Sequence, residues 1–350
     1  MPLPNNLNSA LVTAYTLLAG GIGAWVAYSV SLPIYVLTGP AIFVSLLSIT
    51  GLKLAVSNIV RNVAFVFVGI GLGSGISAET LQSFLHWPFA FLALAAMVWG
   101  ILVVCRDLLM RWFEFDRQSA VLAASPGHLS YVLGLGDALH LDLARISVVQ
   151  SVRLLALTLT VPVIGLWFGI HMDGNILLPG IPMSLWDMAV MVACALGLGW
   201  VLLRFRVPAA LMLGGLFASA AAHASGWITG AVAPIYGLPA FVVLGTLIGT
   251  RFSGVSLTDL KKAAWAGLAT TLVGTVFAVV CAVPVAVLLD IPIPHVIVAF
   301  SPGGLETMVA MGAVLGANPG FVVACHVGRL LMLTVLVPVA LSGRRRRPVD

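Results

Sequence analysis

The sequence predicts an all-α polytopic membrane protein made of two inverted repeats, with about ten transmembrane helices and two re-entrant or broken helical hairpins. Three observations predict it. The chain of 350 residues is 61% hydrophobic and only 8% charged, against roughly 25% charged residues in a soluble domain. The stretch Ser301–Pro338 repeats Ser125–Pro162 at an offset of 176, with 13 of 38 positions identical and no gap. Equivalent loops of the two copies carry opposite basic character.

Several apolar stretches reach about 20 residues, enough to cross a hydrocarbon core of about 30 Å as a helix. The strict alternation of barrel strands is absent. The first apolar stretch follows Asn5, Asn6 and Asn8 without Lys or Arg and runs to about Tyr28. It therefore reads as a first span rather than a cleaved signal peptide. Much of the net charge of +5 comes from Arg344–Arg347. Beside a final membrane helix, the tail 344–350 reads as a cytoplasmic anchor against anionic membrane lipid, not as a nucleic-acid contact. Cys105, Cys194, Cys281 and Cys325 all lie in apolar segments, with no CxxC or Cys/His pairing at metal spacing, and read as packed thiols.

In chain order, the first repeat (1–172) gives spans near 9–28, 33–50, 57–77 and 87–110, a broken segment at 118–140 and a span at 144–170. The second repeat (185–343) gives spans near 187–205, 208–226, 236–256 and 263–289, a broken segment at 292–317 and a span at 319–341. The short second spans open with Pro33 and Pro208, residues suited to a helix start. The duplication runs through each half: Gly69 and Gly73 match Gly245 and Gly249 at 176, and Pro33 and Gly39 match Pro208 and Gly214 at 175. Glycines four residues apart allow close approach of helices.

Loop charge decides the relative orientation. The loop after Tyr28 is uncharged, whereas its counterpart carries Arg204 and Arg206. Arg106, Arg111 and Arg117 surround the end of the fourth span, whereas the equivalent loop at Asp290 has no basic residue. By the positive-inside rule the halves are upside down relative to each other. Inversion needs an odd number of crossings per half, so one of six segments must enter and leave on the same side. The S-P-G segments are the candidates, since proline removes a donor and glycine relaxes the chain. A fully crossing broken helix is the alternative. Both termini then lie on the cytoplasmic side of a bacterial inner membrane.

Inverted repeats with discontinuous segments at mid-membrane are the architecture of secondary transporters. Ser125, Pro126 and Gly127, with Ser301, Pro302, Gly303 and Gly304, are the expected solute-binding tips, because half-helix N-termini suit anions. Arg153 and Arg329 lie two to three turns into apolar helices, where a charge must face a partner or water. They are expected to bind an anionic solute or, in a structural role, the carbonyls of the adjacent hairpin. Glu306, whose counterpart is Ser130, is the expected coupling carboxylate for H+ or Na+. His326, its counterpart Gln150, and His128 are expected near the same cavity as coupling candidates, since histidine is the side chain able to titrate near neutrality, with a hydrogen-bonded packing role as the other reading of each histidine. No Walker glycine loop, metal-spaced histidines or Ser/His/Asp constellation points to an enzyme, so no cofactor beyond a coupling ion is expected.

A duplicated half with an S-P-G-G-x-x-E/S hairpin, followed by an arginine-bearing helix ending in V-P, resembles the bacterial AbrB membrane family. Val207-Pro208-Ala209-Ala210-Leu211-Met212-Leu213-Gly214 is similar to that family's L-P-A-A-x-x-L-G text, departing at Val207. His128 departs from the second glycine of the hairpin. That family is commonly labelled ammonia monooxygenase or regulator; the soluble DNA-binding regulator of the same name is unrelated. The resemblance implies a layout similar to inverted-repeat carriers of organic anions and leaves the solute open. A membrane-embedded metabolite sensor without transport is the rival expectation, and a homodimer is compatible with the sequence.

Overall fold

A computed structural model describes residues 6–76, 87–127, 129–169, 181–255 and 257–342. The described chain is helical throughout, with one isolated bridge between Pro182 and Ala231 in place of any strand. In the first half the helices are α1 (Asn6–Ser29), α2 (Tyr35–Ile49), α3 (Asn58–Gly73), α4 (Pro88–Trp112), α5 (Arg117–Ala124), α6 (Leu129–Ala138) and α7 (Leu143–Trp167). In the second they are α8 (Leu185–Arg204), α9 (Ala210–Ala224), α10 (Pro234–Gly249), α11 (Leu257–Leu289), α12 (Ile293–Phe300), α13 (Leu305–Val314) and α14 (Pro319–Ser342). Among the described residues seven helices are long and apolar enough to cross a membrane, α10 together with the 3-10 turn Thr250–Phe252, and shorter apolar helices accompany them. The protein is an all-α polytopic membrane protein.

Unusual backbone recurs with the duplication. Ser31, Ile34 and Gly51 have positive φ, and so do their counterparts Arg206, Ala209 and Gly226 in the second half. Glu114 and His140 are matched in the same way by Asp290 and Gly316. Pro33 and Pro208 do not open their helices as expected. They sit in the preceding turn, and Ile34 and Ala209 adopt the left-handed conformation before helix begins at Tyr35 and Ala210.

Close glycine contacts build one bundle from α1, α2, α3, α8, α9 and α10. A Cβ on Gly69 of α3 would collide with the carbonyl oxygen of Met212 on α9. Its counterpart Gly245 of α10 stands in the same relation to Leu37 on α2. Gly23 and Gly39 bring α1 onto α2, and Gly199 and Gly214 bring α8 onto α9. The remaining helices form a second bundle in which α11 packs on both α4 and α7, and α14 packs on α4, α12 and α13.

Each broken segment starts and ends at one end of this second bundle. Arg145, in the first turn of α7, donates to the carbonyls of Phe113 and Glu114 just past α4, next to the start of α5. The two ends of the α5–α6 segment therefore lie together at the C-terminal end of α4. In the other half, His295 at the start of α12 donates to the Leu315 carbonyl just past α13, at 2.8 Å. Phe321, early in α14, packs edge-on against Trp87, with ring centroids 5.1 Å apart, so this segment opens at the N-terminal end of α4.

Contacts between the bundles are unequal. Helix α13 packs on α3, and α7 packs on α2 and α10; the equivalent pairs α6 with α10, α14 with α9, and α14 with α3 are less closely packed.

Candidate functional site

Proline makes both breaks. A residue before proline is pushed out of the helical region, and Ser125 and Ser301 are extended, with ψ of 119° and 131°. Helices α5 and α12 therefore end deep in the bundle with carbonyls unsatisfied by any further turn. Ser125 and Ser301 are 0% and 3% exposed.

The two arginines close these ends. Arg329 donates to the carbonyls of Ser301 and Gly303, each at 2.7 Å. Arg153, its counterpart in the first half, donates to the Ser125 carbonyl at 3.2 Å and to Oε1 of Gln150. Gln150 in turn donates to the carbonyls of Leu122 and Ser125, both at 2.9 Å. A cation at a helix C-terminus also meets the negative end of the helix dipole. Of the two roles expected for the arginines, the hydrogen bonds fill the structural one. Gln150 likewise holds the hairpin rather than only lining a cavity.

Several polar atoms here retain capacity. Nε of Arg153, Nε of Arg329, Oγ of Ser125, Oγ of Ser151 and Nε2 of His326 are buried without a hydrogen-bond partner. Nδ1 of His326 donates to its own helix at Val322, 2.9 Å away, so Nε2 presents a lone pair. The tips cross over: Gly127 lies against Leu333, one turn past Arg329, and Gly304 lies against Leu154, next to Arg153. Pro302 packs on α11 beside Gly274.

Glu306 lies in the first turn of α13, whose N-cap Gly304 provides no side-chain acceptor. The first N–H groups of that helix are therefore open, as expected of a half-helix N-terminus. Glu306 forms no ion pair with Arg329; among the described residues Arg106 pairs with Asp107, at 2.6 Å. Glu306 instead interacts electrostatically with Arg251, in the 3-10 turn after α10. In the sequence Arg251 stands out only as a basic residue whose counterpart, Gly75, is uncharged, a difference that bears on orientation; nothing there links it to Glu306. His128 lies outside the described residues.

The cysteines divide. Cys105 and Cys325 are buried, Cys281 is intermediate and Cys194 is exposed on α8, so Cys194 is not the packed thiol expected. Among the described residues, no three His, Cys, Asp or Glu side chains converge as metal ligands.

Together these features define a polytopic helical membrane protein with two pinned, broken segments meeting inside one bundle. The chain belongs to the AbrB family: the family model described as transition state regulatory protein AbrB matches residues 36–343. It is also similar to the uncharacterized protein YhjN of Bacillus subtilis (strain 168), at 24% identity over 294 residues, covering 78% of this chain and 75% of that protein.

Proposed function

We propose that this protein is a secondary active transporter of a small organic anion, driven by H+ or Na+ and working by alternating access. The observation that carries this reading is the unequal packing of two equivalent halves. If repeats 1–172 and 185–343 are inverted, exchanging their contacts turns closure on one side into closure on the other. That is the symmetry on which inverted-repeat carriers run. The basic residues Arg106, Arg111 and Arg117 support a cytoplasmic C-terminal end of α4 in a bacterial inner membrane.

The terminal nitrogens of Arg153 and Arg329 hold the hairpins, so the solute would meet their Nε–H groups, the Ser125 hydroxyl and the open N-terminus of α13. Two buried cations without a carboxylate within ion-pair distance favour an anion there. Glu306, on the segment that touches α3 and within electrostatic reach of Arg251, is the coupling group in this reading. Protonation or Na+ binding there would weaken its attraction to Arg251 and free α13 to move.

Purified protein in liposomes, given gradients of small carboxylates with and without H+ or Na+ gradients, tests the proposal. Saturable uptake driven by one ion gradient is expected, with Glu306→Gln retaining exchange but losing ion-driven accumulation. Absence of flux for every carboxylate, with binding intact, would leave a sensor in place of a carrier.

A further inference from the structure

We infer that a pocket at the C-terminal end of α11 is a binding site for a small guanidinium-bearing cation, separate from the hairpin tips and independent of the transport reading. The pocket encloses about 290 Å³ and is lined by Trp87, Leu289, Asp290, His295, Asn318 and Phe321.

The duplication identifies what this position holds in the other half. Leu289 and Asp290 correspond to Phe113 and Glu114, Asn318 to Asp142, and Phe321 to Arg145, all at 176. The local backbone corresponds as well. Glu114 and Asp290 are left-handed, with φ of 54° and 52°. Asp142 caps α7 by accepting from the Arg145 N–H at 3.1 Å, and Asn318 caps α14 by accepting from the Gly320 N–H at 2.9 Å.

In the first half, the Arg145 guanidinium occupies this corner. It donates to the Glu114 carbonyl at 3.3 Å and to the Phe113 carbonyl, and lies 3.8 Å over the Phe115 ring. In the second half, phenylalanine replaces that arginine and turns its ring against Trp87. The corner is left as a pocket whose chemistry still suits the same group. Carbonyls at a helix C-terminus carry partial negative charge. The Asp290 carboxylate adds a full one and makes no ion pair among the described residues. Ile291 stands where Phe115 lies in the first half, and the aromatic lining comes instead from the edges of Trp87 and Phe321, each 2% exposed, which attract a planar cation. Among the described residues, no lysine or arginine lines the pocket.

Equilibrium dialysis of the detergent-purified full chain against radiolabelled methylguanidine tests this, with methylurea as the neutral competitor of the same shape. One saturable site per chain is expected, unaffected by a hundredfold excess of methylurea. Asp290→Asn is expected to weaken binding at least tenfold, since asparagine tolerates the left-handed backbone but lacks the charge. Phe321→Arg is expected to abolish binding by supplying a guanidinium from the chain itself. The variants are compared by thermal unfolding to verify that they fold. Competition by methylurea equal to that of unlabelled methylguanidine, undiminished binding by folded Asp290→Asn, or no saturable binding to the wild-type chain would each overturn the inference.

Discussion

A guanidinium held at membrane depth costs roughly 3 kcal/mol on insertion scales, and Arg153 and Arg329 recover much of this by bonding carbonyls that proline has orphaned. The two are not equivalent. Arg329 alone bridges Ser301 and Gly303, whereas Arg153 shares the Ser125 carbonyl with Gln150. Lysine keeps the charge but cannot span two carbonyls with a planar fork. Arg329→Lys is therefore expected to lower the unfolding free energy by about 1.5–3 kcal/mol, the range for a hydrogen bond to a charged group. Arg153→Lys should cost less, because Gln150 continues to satisfy Ser125. Unfolding midpoints of the purified variants in one detergent check the order; equal losses would contradict it.

At the scale of helices, glycine is decisive where two backbones meet. Alanine is favoured over glycine inside a helix by up to about 1 kcal/mol, so Gly→Ala should stabilise wherever space allows. An added Cβ at Gly21 or Gly197 meets nothing within 4 Å, whereas at Gly69 or Gly245 it strikes a carbonyl of the facing helix. Gly21→Ala and Gly197→Ala are expected to leave the melting temperature unchanged or raised, and Gly69→Ala and Gly245→Ala to lower it by several degrees.

The second broken segment carries a pH dependence of its own. Burial lowers the proton affinity of His295, against the opposing effect of its bond to Leu315. A histidine with a depressed folded pKa contributes stability that is complete above its unfolded value of about 6.5 and is lost as pH falls through the folded value. The protein should melt earlier at pH 5 than at pH 7.5, with a smaller difference in His295→Gln.

Much of this element plan is readable from the sequence, because proline, glycine and arginine stand out in an apolar chain and recur at a fixed offset. The broken segments, the glycine contacts and the hairpin–arginine pairing follow from that recurrence. What stays hidden has physical reasons. Proline fixes its own φ without dictating where helix begins, so the helices start at Tyr35 and Ala210 and not at Pro33 and Pro208. In a lipid-facing helix both faces are apolar, so sequence does not separate Cys194 from the buried thiols. Arg251 and Arg145 act through positions where the halves differ, and similarity between the halves is silent there. The arginine forks are visible as charges but not as donors, since sequence alone does not fix where the hairpin carbonyls point.

For the whole molecule, three exposed tryptophans stand where an interfacial belt would place them. Trp112, Trp167 and Trp186 stand at helix ends and are 79%, 91% and 76% exposed, as indole at a membrane–water interface would be. Orientation of the halves is tested by labelling from one side. Val30 and Phe205 are exposed and occupy equivalent turns of the two halves. In sealed right-side-out vesicles, an impermeant maleimide should label Val30→Cys directly and Phe205→Cys only after permeabilisation. Labelling of both from the same side would contradict inversion.

Two segments that each turn back at a serine–proline break have a further consequence. With one segment opening at either end of α4, water following both inward would leave only the two tips between the two sides. Where water follows the segments inward, the transmembrane voltage falls over that short distance instead of over the full hydrocarbon width. One elementary charge crossing such a drop gains or loses about 2.3 kcal/mol per 100 mV. If the protein is the carrier proposed above, nearly all of that work falls in the single step that takes a charged solute past Pro126 and Pro302, beside Arg153 and Arg329.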